Sequence, residues 1–228
     1  MIHREIQIAM DVVVFSFRQA EGIRVLLCKR RSEPFKHRWA LPGGSLQYDE
    51  SLERGVQRIL ESRTMIKATY MEQLHTFGKP DRDPRGRIIS IAYMAIAKPE
   101  RINLAEDESG EIYWYNIRRI PDLAFDHRRI IQAAIVKLKN KIWNDLLCFE
   151  MLEAKFLFSD LEILFNSLQD KPVERRNFRK KVLSFGILEE LQDQIVGRRG
   201  RPAIYYRFNR TKYFELRDRG YNFYLPQG

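Results

Sequence analysis

The sequence predicts an α+β protein with two domains, and three observations carry that prediction. The chain has 228 residues, which is long for one compact core but suits two domains of ordinary size. Strand-like segments enclose an amphipathic helix in the first part of the chain. Beyond Trp143 the pattern changes to short helices and then two strands, so we place the domain boundary between residues 1–145 and residues 146–228.

The elements of the first domain follow from the period of its apolar residues. Runs rich in β-branched residues and bounded by turn residues predict strands. Apolar residues that recur every three or four positions, such as Leu52, Val56 and Ile59, predict helices. In chain order we predict strands 6–17 and 23–30, a helix over 49–64, strands 69–77, 87–98 and 111–117, and a closing helix over 126–142.

The composition is that of a folded protein, with 44% hydrophobic and 31% charged residues. The formal net charge of +10 and the pI near 9.7 favour a polyanionic partner, because neutralising phosphates releases condensed counterions. Nucleic acid therefore ranks ahead of a membrane surface. Residues 1–145 hold 25 basic and 19 acidic side chains and residues 146–228 hold 15 and 11, so the charge of each domain does not locate the site.

The two cysteines, Cys28 and Cys148, lie far apart and form no CxxC pair, which argues against a disulfide framework or a structural zinc site. The apolar run near the N-terminus is broken by Asp11 and is too short and polar for a signal peptide or a membrane span. We therefore expect a cytoplasmic protein. The four histidines lack the spacing of metal ligands.

Two helices and a hairpin are expected in the second domain. Ser159 and Glu162 have the spacing of a capping box and open a helix with an apolar face. A second helix is predicted over 173–185. Residues 187–191 and 203–208 predict two strands, joined by a loop rich in glycine and arginine.

Positive charge is concentrated on the second of these helices and on the loop. Between Lys171 and Lys212 there are twelve basic and four acidic residues. In a helix-turn-helix the second helix lies in the major groove, where arginine reads guanine, asparagine reads adenine and lysine holds phosphate. A solvated basic helix beside a flexible turn is the alternative, and it explains either feature better than it explains both in succession.

We therefore predict a winged helix-turn-helix that binds double-stranded DNA. An RNA-binding module is less favoured, because the sequence lacks an aromatic platform for stacking bases. The predicted DNA contacts are Arg175, Arg176, Asn177, Arg179 and Lys180 on the helix and Arg198, Arg199 and Arg201 in the wing.

A motif extends from the loop after the second predicted strand into the first predicted helix. Gly44, Glu50 and Arg58 have the spacing G-x5-E-x7-R and are followed by the aliphatic residues Leu60 and Ile66. This pattern resembles the Nudix box. The resemblance implies an α/β/α sandwich with a mixed sheet for the first domain.

The Nudix-like box departs from the family pattern after its arginine. Nudix hydrolases use the following glutamates to hold a divalent metal against a diphosphate. Here Ile59, Ser62 and Arg63 stand at the three glutamate positions and Met65 stands at the glycine position. Magnesium requires hard oxygen ligands, and isoleucine and arginine provide none. We therefore expect no catalytic residues, no bound metal and no cofactor.

Two carboxylates of the box region remain, Glu50 and Glu61. One interpretation is weak residual metal binding, and the other, which we favour, is local pairing with Arg54, Arg58 or Lys67. A Nudix fold without metal chemistry still offers a pocket for a nucleoside diphosphate or a sugar.

Two further segments bear on the pocket. Arg82 and Arg85 lie in a turn, where they either receive phosphate or ribose oxygens or are solvated beside a turn capped by Asp83. Asp126 is predicted as the N-cap of the closing helix. The predicted effector-binding residues are Phe35, Arg38 and Trp39 at the pocket mouth, Gly44, Glu50 and Arg58 in the box, and Arg82, Arg85 and Asp126.

Taken together, these segments resemble the Nudix-related transcriptional regulators of the NrtR type, and the resemblance includes 177–181 and 200–203 with Tyr205. It implies a homodimeric repressor that binds operator DNA and a small effector. The effector is ADP-ribose in the branch that controls NAD metabolism and a pentose in the branches that control sugar catabolism. Arg82 and Arg85 favour the nucleotide. A Nudix hydrolase with an appended DNA-binding domain is the enzyme alternative.

Overall fold

The computed structural model describes residues 5–98, 111–169, 171–194 and 203–223. The chain divides into two compact units, Met1–Lys137 and Leu138–Gly228. The division falls inside a helix that runs to Asn144, and the boundary between residues 145 and 146 stays a prediction. Over the part of the chain that the structure describes, no helix is long and apolar enough to cross a membrane.

The first unit is built on a seven-stranded sheet. Its elements are β1 (Gln7–Arg18), β2 (Gly22–Lys29), β3 (Trp39–Ala40), β4 (Gly43–Ser45), α1 (Leu52–Thr64), β5 (Tyr70–Phe77), β6 (Ile88–Ile96), β7 (Ile112–Asn116) and the first part of α2 (His127–Asn144). The strand order is β3-β2-β1-β6-β5, with β4 paired to β1 and β7 paired to β2. Because β1 and β6 are parallel and the other pairs are antiparallel, the sheet is mixed, as predicted.

Strand β1 lies at the centre of the sheet and is buried on both faces from Met10 to Phe17. A strand covered on both faces is a continuous apolar run rather than an alternating one, which explains the sequence of its middle portion. On one face, Met10, Val12 and Val14 belong to a core cluster with residues of α1. That cluster fixes the helix of the Nudix-like box against the sheet.

Helix α1 begins and ends at well-defined caps. The Ser51 hydroxyl oxygen accepts a hydrogen bond from the Arg54 N–H at 3.3 Å, so the helix begins three residues later than predicted. At the other end Met65 adopts the left-handed conformation, with φ 54°, and its N–H donates to the Glu61 carbonyl. Glycine adopts this conformation with less strain, which explains the glycine in the Nudix pattern.

The second unit contains two helices, a three-stranded antiparallel sheet and a last helix. After a short 3-10 helix (Leu147–Glu150) come β8 (Phe156–Leu157), α3 (Phe158–Ser167), α4 (Arg175–Ser184), β9 (Leu188–Gln194), β10 (Ile204–Phe208) and α5 (Arg210–Asp218). The sheet order is β8-β10-β9. Aromatic side chains form much of its core, with Trp143 and Phe178 both against Phe165, each pair with ring centroids 4.8 Å apart. This is the predicted winged helix architecture.

The predicted capping box at the start of α3 is wrong. The helix begins at Phe158, so Ser159 lies inside its first turn. The Asp160 carboxylate accepts from the Leu157 N–H at 2.8 Å and stabilises the helix start, whereas Glu162 pairs with Arg175 at 3.1 Å. The cap is therefore provided by Asp160, the residue directly after Ser159.

Candidate functional site

A cavity of about 250 Å³ opens beside β4 and the first residue of α2. Its wall includes Asp11 of β1, Gly43 of β4, Arg63 of α1 and Phe125. A second cavity of about 230 Å³ shares Arg30, Ser32, Leu41, Gly43 and Arg63 with the first, so the two are contiguous. Together they form a pocket, which we call the arginine pocket.

The lining of the arginine pocket is strongly cationic. Three of its basic side chains are paired with carboxylates that also line it: Arg82 with Asp11 at 3.2 Å, Arg85 with Asp83 at 2.6 Å, and Arg31 with Glu111. Three others, Lys29, Arg30 and Arg63, have no carboxylate within ion-pair distance among the residues that the structure describes. The pocket therefore offers an excess of positive charge to a ligand.

Arg30 lies close enough to Arg63 and Arg85 for their positive charges to affect its pKa. Burial lowers the pKa of Arg30, and the positive charges of Arg85 and Arg63 lower it further, against the opposing charges of Asp83 and Glu33. The charges of Arg85 and Arg63 thus repel the Arg30 guanidinium. An anion placed among them relieves this repulsion. Neither Arg30 nor Arg63 was among the predicted effector-binding residues, although the replacement at residue 63 was the available signal.

Arg82 lines the arginine pocket, but its guanidinium is already bound by two carboxylates of the first unit. It is 7% exposed and donates to Asp126 at 2.7 and 3.1 Å and to Asp11 at 3.2 Å. Burial opposes its charge, but the hydrogen bonds of Asp126 and the charge of Asp11 prevail and raise its pKa. Arg82 is therefore a permanent cation inside the first unit, fully engaged by two carboxylates.

The Asp11 carboxylate connects this ion pair to a second buried group. It accepts from the Ser90 hydroxyl at 2.6 Å and faces the His127 Nε2 at 3.4 Å. The Nδ1 of His127 accepts from the Leu41 N–H at 2.9 Å, so the proton of the neutral ring lies on Nε2. Burial lowers the pKa of His127 and keeps the ring neutral. The network ties β1, β6, the loop before β4 and the start of α2 together.

Asp126 differs from its predicted role, whereas Asp83 has the capping role that one interpretation of the turn gave it. The Asp126 carboxylate binds Arg82, and it is its backbone carbonyl that accepts from the Arg129 N–H at 2.9 Å at the helix start, so the side-chain N-cap is corrected. Asp83 does cap its turn, because its carboxylate accepts from the Arg85 N–H at 3.0 Å. Arg85 stays 52% exposed at the pocket.

An aromatic pair borders the arginine pocket. Phe125 lines it, and Phe35 packs edge-to-face on Phe125 with ring centroids 4.9 Å apart. Arg30 lies 4.6 Å and Arg85 5.5 Å from the centroid of Phe125. Both phenylalanines have a positive φ, 64° for Phe35 and 53° for Phe125, which is strained for an aromatic residue. Phe125 precedes the predicted helix and was not among the predicted effector-binding residues.

The other two residues predicted for the pocket mouth, Arg38 and Trp39, do not line the arginine pocket. Arg38 lies 5.9 Å from the centroid of Phe35. Trp39 is half-buried in β3 and packs edge-to-face on Tyr115 at 5.2 Å, so its role in the structure is packing of the sheet edge.

The box residues Glu50 and Arg58 bind each other, as the local-pairing interpretation expects. Arg58 donates to both carboxylate oxygens of Glu50, at 2.8 and 2.6 Å, and these hydrogen bonds lower the pKa of Glu50 to about 2. Arg58 also donates to the Ser45 carbonyl at 3.0 Å. The pair therefore fastens the loop after β4 to α1.

Residues at the glutamate positions of the box cannot assemble a metal site. Ile59 is 1% exposed and its side chain lies under Gly44, where an added Cβ would meet it at 3.4 Å. Ser62 and Arg63 line the cavities instead of carboxylates. In the described ranges, no group of three or more His, Cys, Asp or Glu residues is placed to hold a metal ion. The residues therefore do not fit the divalent metal of Nudix hydrolases.

In the second unit, α4 presents an exposed basic surface. Arg176 and Asn177 are exposed, and their N–H groups donate to the Glu174 carboxylate at 3.0 and 2.8 Å, which caps the helix. Lys180 is also exposed, and Arg175 is exposed but paired with Glu162. The wing residues Arg198, Arg199 and Arg201 lie outside the described residues.

Arg179 differs from its neighbours on α4. It donates to the Tyr206 hydroxyl at 2.8 Å and lies 4.6 Å from the ring centroid of Phe158. The Tyr206 hydroxyl in turn donates to Glu190 at 3.1 Å. Arg179 therefore makes a structural contact between α4, α3 and the sheet, and its predicted role in DNA binding stays a prediction.

Two family models match the chain. A NUDIX domain model matches residues 6–134 and a model of the NrtR DNA-binding winged helix domain matches residues 148–208. The chain is 31% identical over 219 residues to the ADPR responsive transcriptional repressor NtrR of Acinetobacter baylyi, with 94% of this chain and 84% of the relative covered. It is 36% identical over 109 residues to the ADP-ribose pyrophosphatase of Methanocaldococcus jannaschii, with 48% of this chain and 64% of that enzyme covered.

Two crystal structures of Shewanella oneidensis NrtR are similar to this chain. The structure complexed with a 27mer DNA matches with a TM-score of 0.80 and 29% identity, over 96% of this chain and 99% of that chain. The NUDIX domain complexed with ADP ribose matches with a TM-score of 0.51 and 34% identity, over 59% of this chain and 90% of that chain. The similarity thus extends over both units.

Proposed function

From the premise that this chain belongs to the NrtR family of Nudix-related transcriptional regulators, we propose that it is a cytoplasmic repressor whose operator affinity is controlled by ADP-ribose. The first unit receives the effector in the arginine pocket, and the second unit binds double-stranded DNA through α4 and the wing. We further propose that the Nudix domain performs no hydrolysis and binds no metal, and that the repressor acts as a homodimer.

The observation that carries the effector proposal is the cationic lining of the arginine pocket. Arg30, Arg63 and Arg85 line the same cavity, and Arg30 also donates to the Pro34 and Ser32 carbonyls. A diphosphate in this cavity can accept charge-assisted hydrogen bonds, each of which contributes roughly 1.5–3 kcal/mol. A pentose offers hydroxyl groups but no anionic charge to these side chains. The pocket chemistry therefore favours ADP-ribose over a neutral sugar.

The operator proposal is supported by the exposed residues of α4. Arg176, Asn177 and Lys180 are of the types that contact base edges and phosphates in a major groove. Regulation requires ADP-ribose to bind more tightly to the conformation that has the lower DNA affinity, or to the opposite one in an activator.

Titration calorimetry and gel shifts together test the proposed function. ADP-ribose, NAD, arabinose and xylose are titrated separately into the chain in buffer with EDTA, and operator DNA is then titrated with and without each ligand. We expect ADP-ribose to bind and to weaken the DNA complex, and the two pentoses to have no effect. Binding of a pentose with release of DNA would instead assign the sugar branch.

The similarity to the M. jannaschii pyrophosphatase makes hydrolysis the second candidate function. We expect no formation of AMP when ADP-ribose is incubated with the chain and Mg²⁺, because Ile59, Ser62 and Arg63 supply no metal ligands. Turnover at an ordinary enzymatic rate of about 1 s⁻¹ or more would assign the enzyme instead.

A further inference from the structure

The electrostatics of the arginine pocket specify the chemical form of its ligand. We propose that the pocket takes a diphosphate free of metal, so that Mg²⁺ antagonises effector binding by complexing the effector; the proposal rests on the proposed function above. A Nudix hydrolase has the opposite requirement, because its carboxylates hold the metal and the metal holds the diphosphate. The difference between a metal-dependent and a metal-free diphosphate site lies here in the residues at the three glutamate positions, Ile59, Ser62 and Arg63.

Arg63 places a positive charge where a Nudix hydrolase has a negative one. It lies in the last turn of α1, at a position where the Nudix pattern has a metal-binding glutamate, and it lines both cavities of the arginine pocket. Arg30 and Arg85 face the same space, and the carboxylates beside them, Asp11 and Asp83, are held by arginines. A divalent cation in this space would be repelled by the guanidinium groups that line it.

Mg²⁺ and the arginine pocket compete for the same diphosphate, and this competition follows mass action. A diphosphate diester carries about two negative charges near neutral pH, and these charges are what the guanidinium groups attract. Mg²⁺ bound to the diphosphate neutralises them and adds a hydration shell that the arginines cannot replace. If only the free anion binds, the apparent Kd rises as one plus the ratio of the Mg²⁺ concentration to the ligand's own dissociation constant for Mg²⁺. At a ratio of ten, the loss of affinity is about elevenfold.

The experiment is calorimetric titration of the full chain with ADP-ribose and, separately, with inorganic pyrophosphate. Each is measured in EDTA and then in rising MgCl2, with the ionic strength held constant by KCl. We expect both ligands to bind in EDTA and both to weaken as Mg²⁺ rises. Pyrophosphate should weaken at lower Mg²⁺ concentration, because it chelates Mg²⁺ more tightly than a diphosphate diester does.

The outcomes separate this proposal from the proposed function. Pyrophosphate binding that Mg²⁺ weakens, without any binding of ADP-ribose, would support the metal-free anion site and reject ADP-ribose as the effector. ADP-ribose binding that is unchanged or strengthened by Mg²⁺ would support the effector and overturn the antagonism. Absence of binding in EDTA and in MgCl2 for both ligands would overturn both.

A matched pair of charge reversals locates the effect. Arg63→Glu restores the acidic residue of the Nudix pattern, whereas Arg18→Glu makes the same change of charge on a side chain that is 63% exposed at the end of β1. We expect Arg63→Glu to weaken binding in EDTA by at least tenfold and to abolish the antagonism by Mg²⁺. Arg18→Glu should retain both. Full Mg²⁺ sensitivity in Arg63→Glu would show that residue 63 does not define the ligand form.

Discussion

Removing the charge of Arg82 should destabilise the first unit more than removing any exposed arginine. In Arg82→Met the side-chain volume is roughly kept, but the carboxylates of Asp11 and Asp126, 9% and 12% exposed, lose their shared partner. Breaking a buried ion pair from one side costs about 3–5 kcal/mol. For a unit of this size that corresponds to a fall in Tm of about 10–20 °C.

Differential scanning calorimetry of the full chain measures this fall, and Arg128→Met is the control. Arg128 lies 3.7 Å from Asp122 in an ion pair whose side chains are 51% and 96% exposed, so its removal should cost at most about 1 kcal/mol. Asp126→Asn completes a double-mutant cycle, in which we expect the double variant to lose less than the sum of the single losses. A loss in Arg82→Met no larger than that in Arg128→Met would refute the role assigned to the buried network.

Three further predictions concern the box and the DNA-binding surface. Met65→Gly should raise the stability of the first unit by about 0.5–1 kcal/mol in thermal unfolding, because it relieves the left-handed strain at a residue that is 78% exposed, whereas Met65→Ala should not. The Glu50 pKa of about 2 lies below its unfolded value of 4.5, so its contribution to stability is present above pH 4.5 and is lost as the pH falls towards 2. Glu50→Gln should therefore flatten the dependence of Tm on pH between these values. An unchanged profile would contradict the pairing with Arg58. Arg176→Ala should weaken operator binding about 5-fold to 150-fold in gel shifts and leave the Tm unchanged. Arg179→Ala should lower the Tm of the second unit, because it removes the contact with Tyr206. Weaker operator binding by Arg179→Ala at an unchanged Tm would instead favour a base-reading role for Arg179.

The strands were predictable because their signal is local. The buried middle of β1 and the apolar residues of β6 make each segment recognisable without knowledge of its neighbours, and the structure places both within two residues of the predicted bounds. The same holds for α1, apart from its start at Leu52. Helix α5 was missed because its pattern over Arg210–Asp218 is mostly charged and only Tyr213 is buried.

The candidate site was less predictable because its contacts are distant in sequence. The partners of Arg82 lie 71 and 44 residues away, so the charged turn around it resembles a solvated loop when it is read alone. The capping role of Asp160 competed with that of Ser159 one residue before it, and spacing does not rank the two. For Arg63 the sequence showed what had been replaced, but only the fold shows that the arginine shares a cavity with Arg30.

Ile59 is part of the hydrophobic core, although it stands at a glutamate position of the Nudix pattern. A glutamate returned to that position would have to find a place for its carboxylate under Gly44 and among apolar side chains, at a cost of several kcal/mol. Restoring metal ligands to this box therefore requires changes in the core around residue 59 as well as the return of the carboxylates.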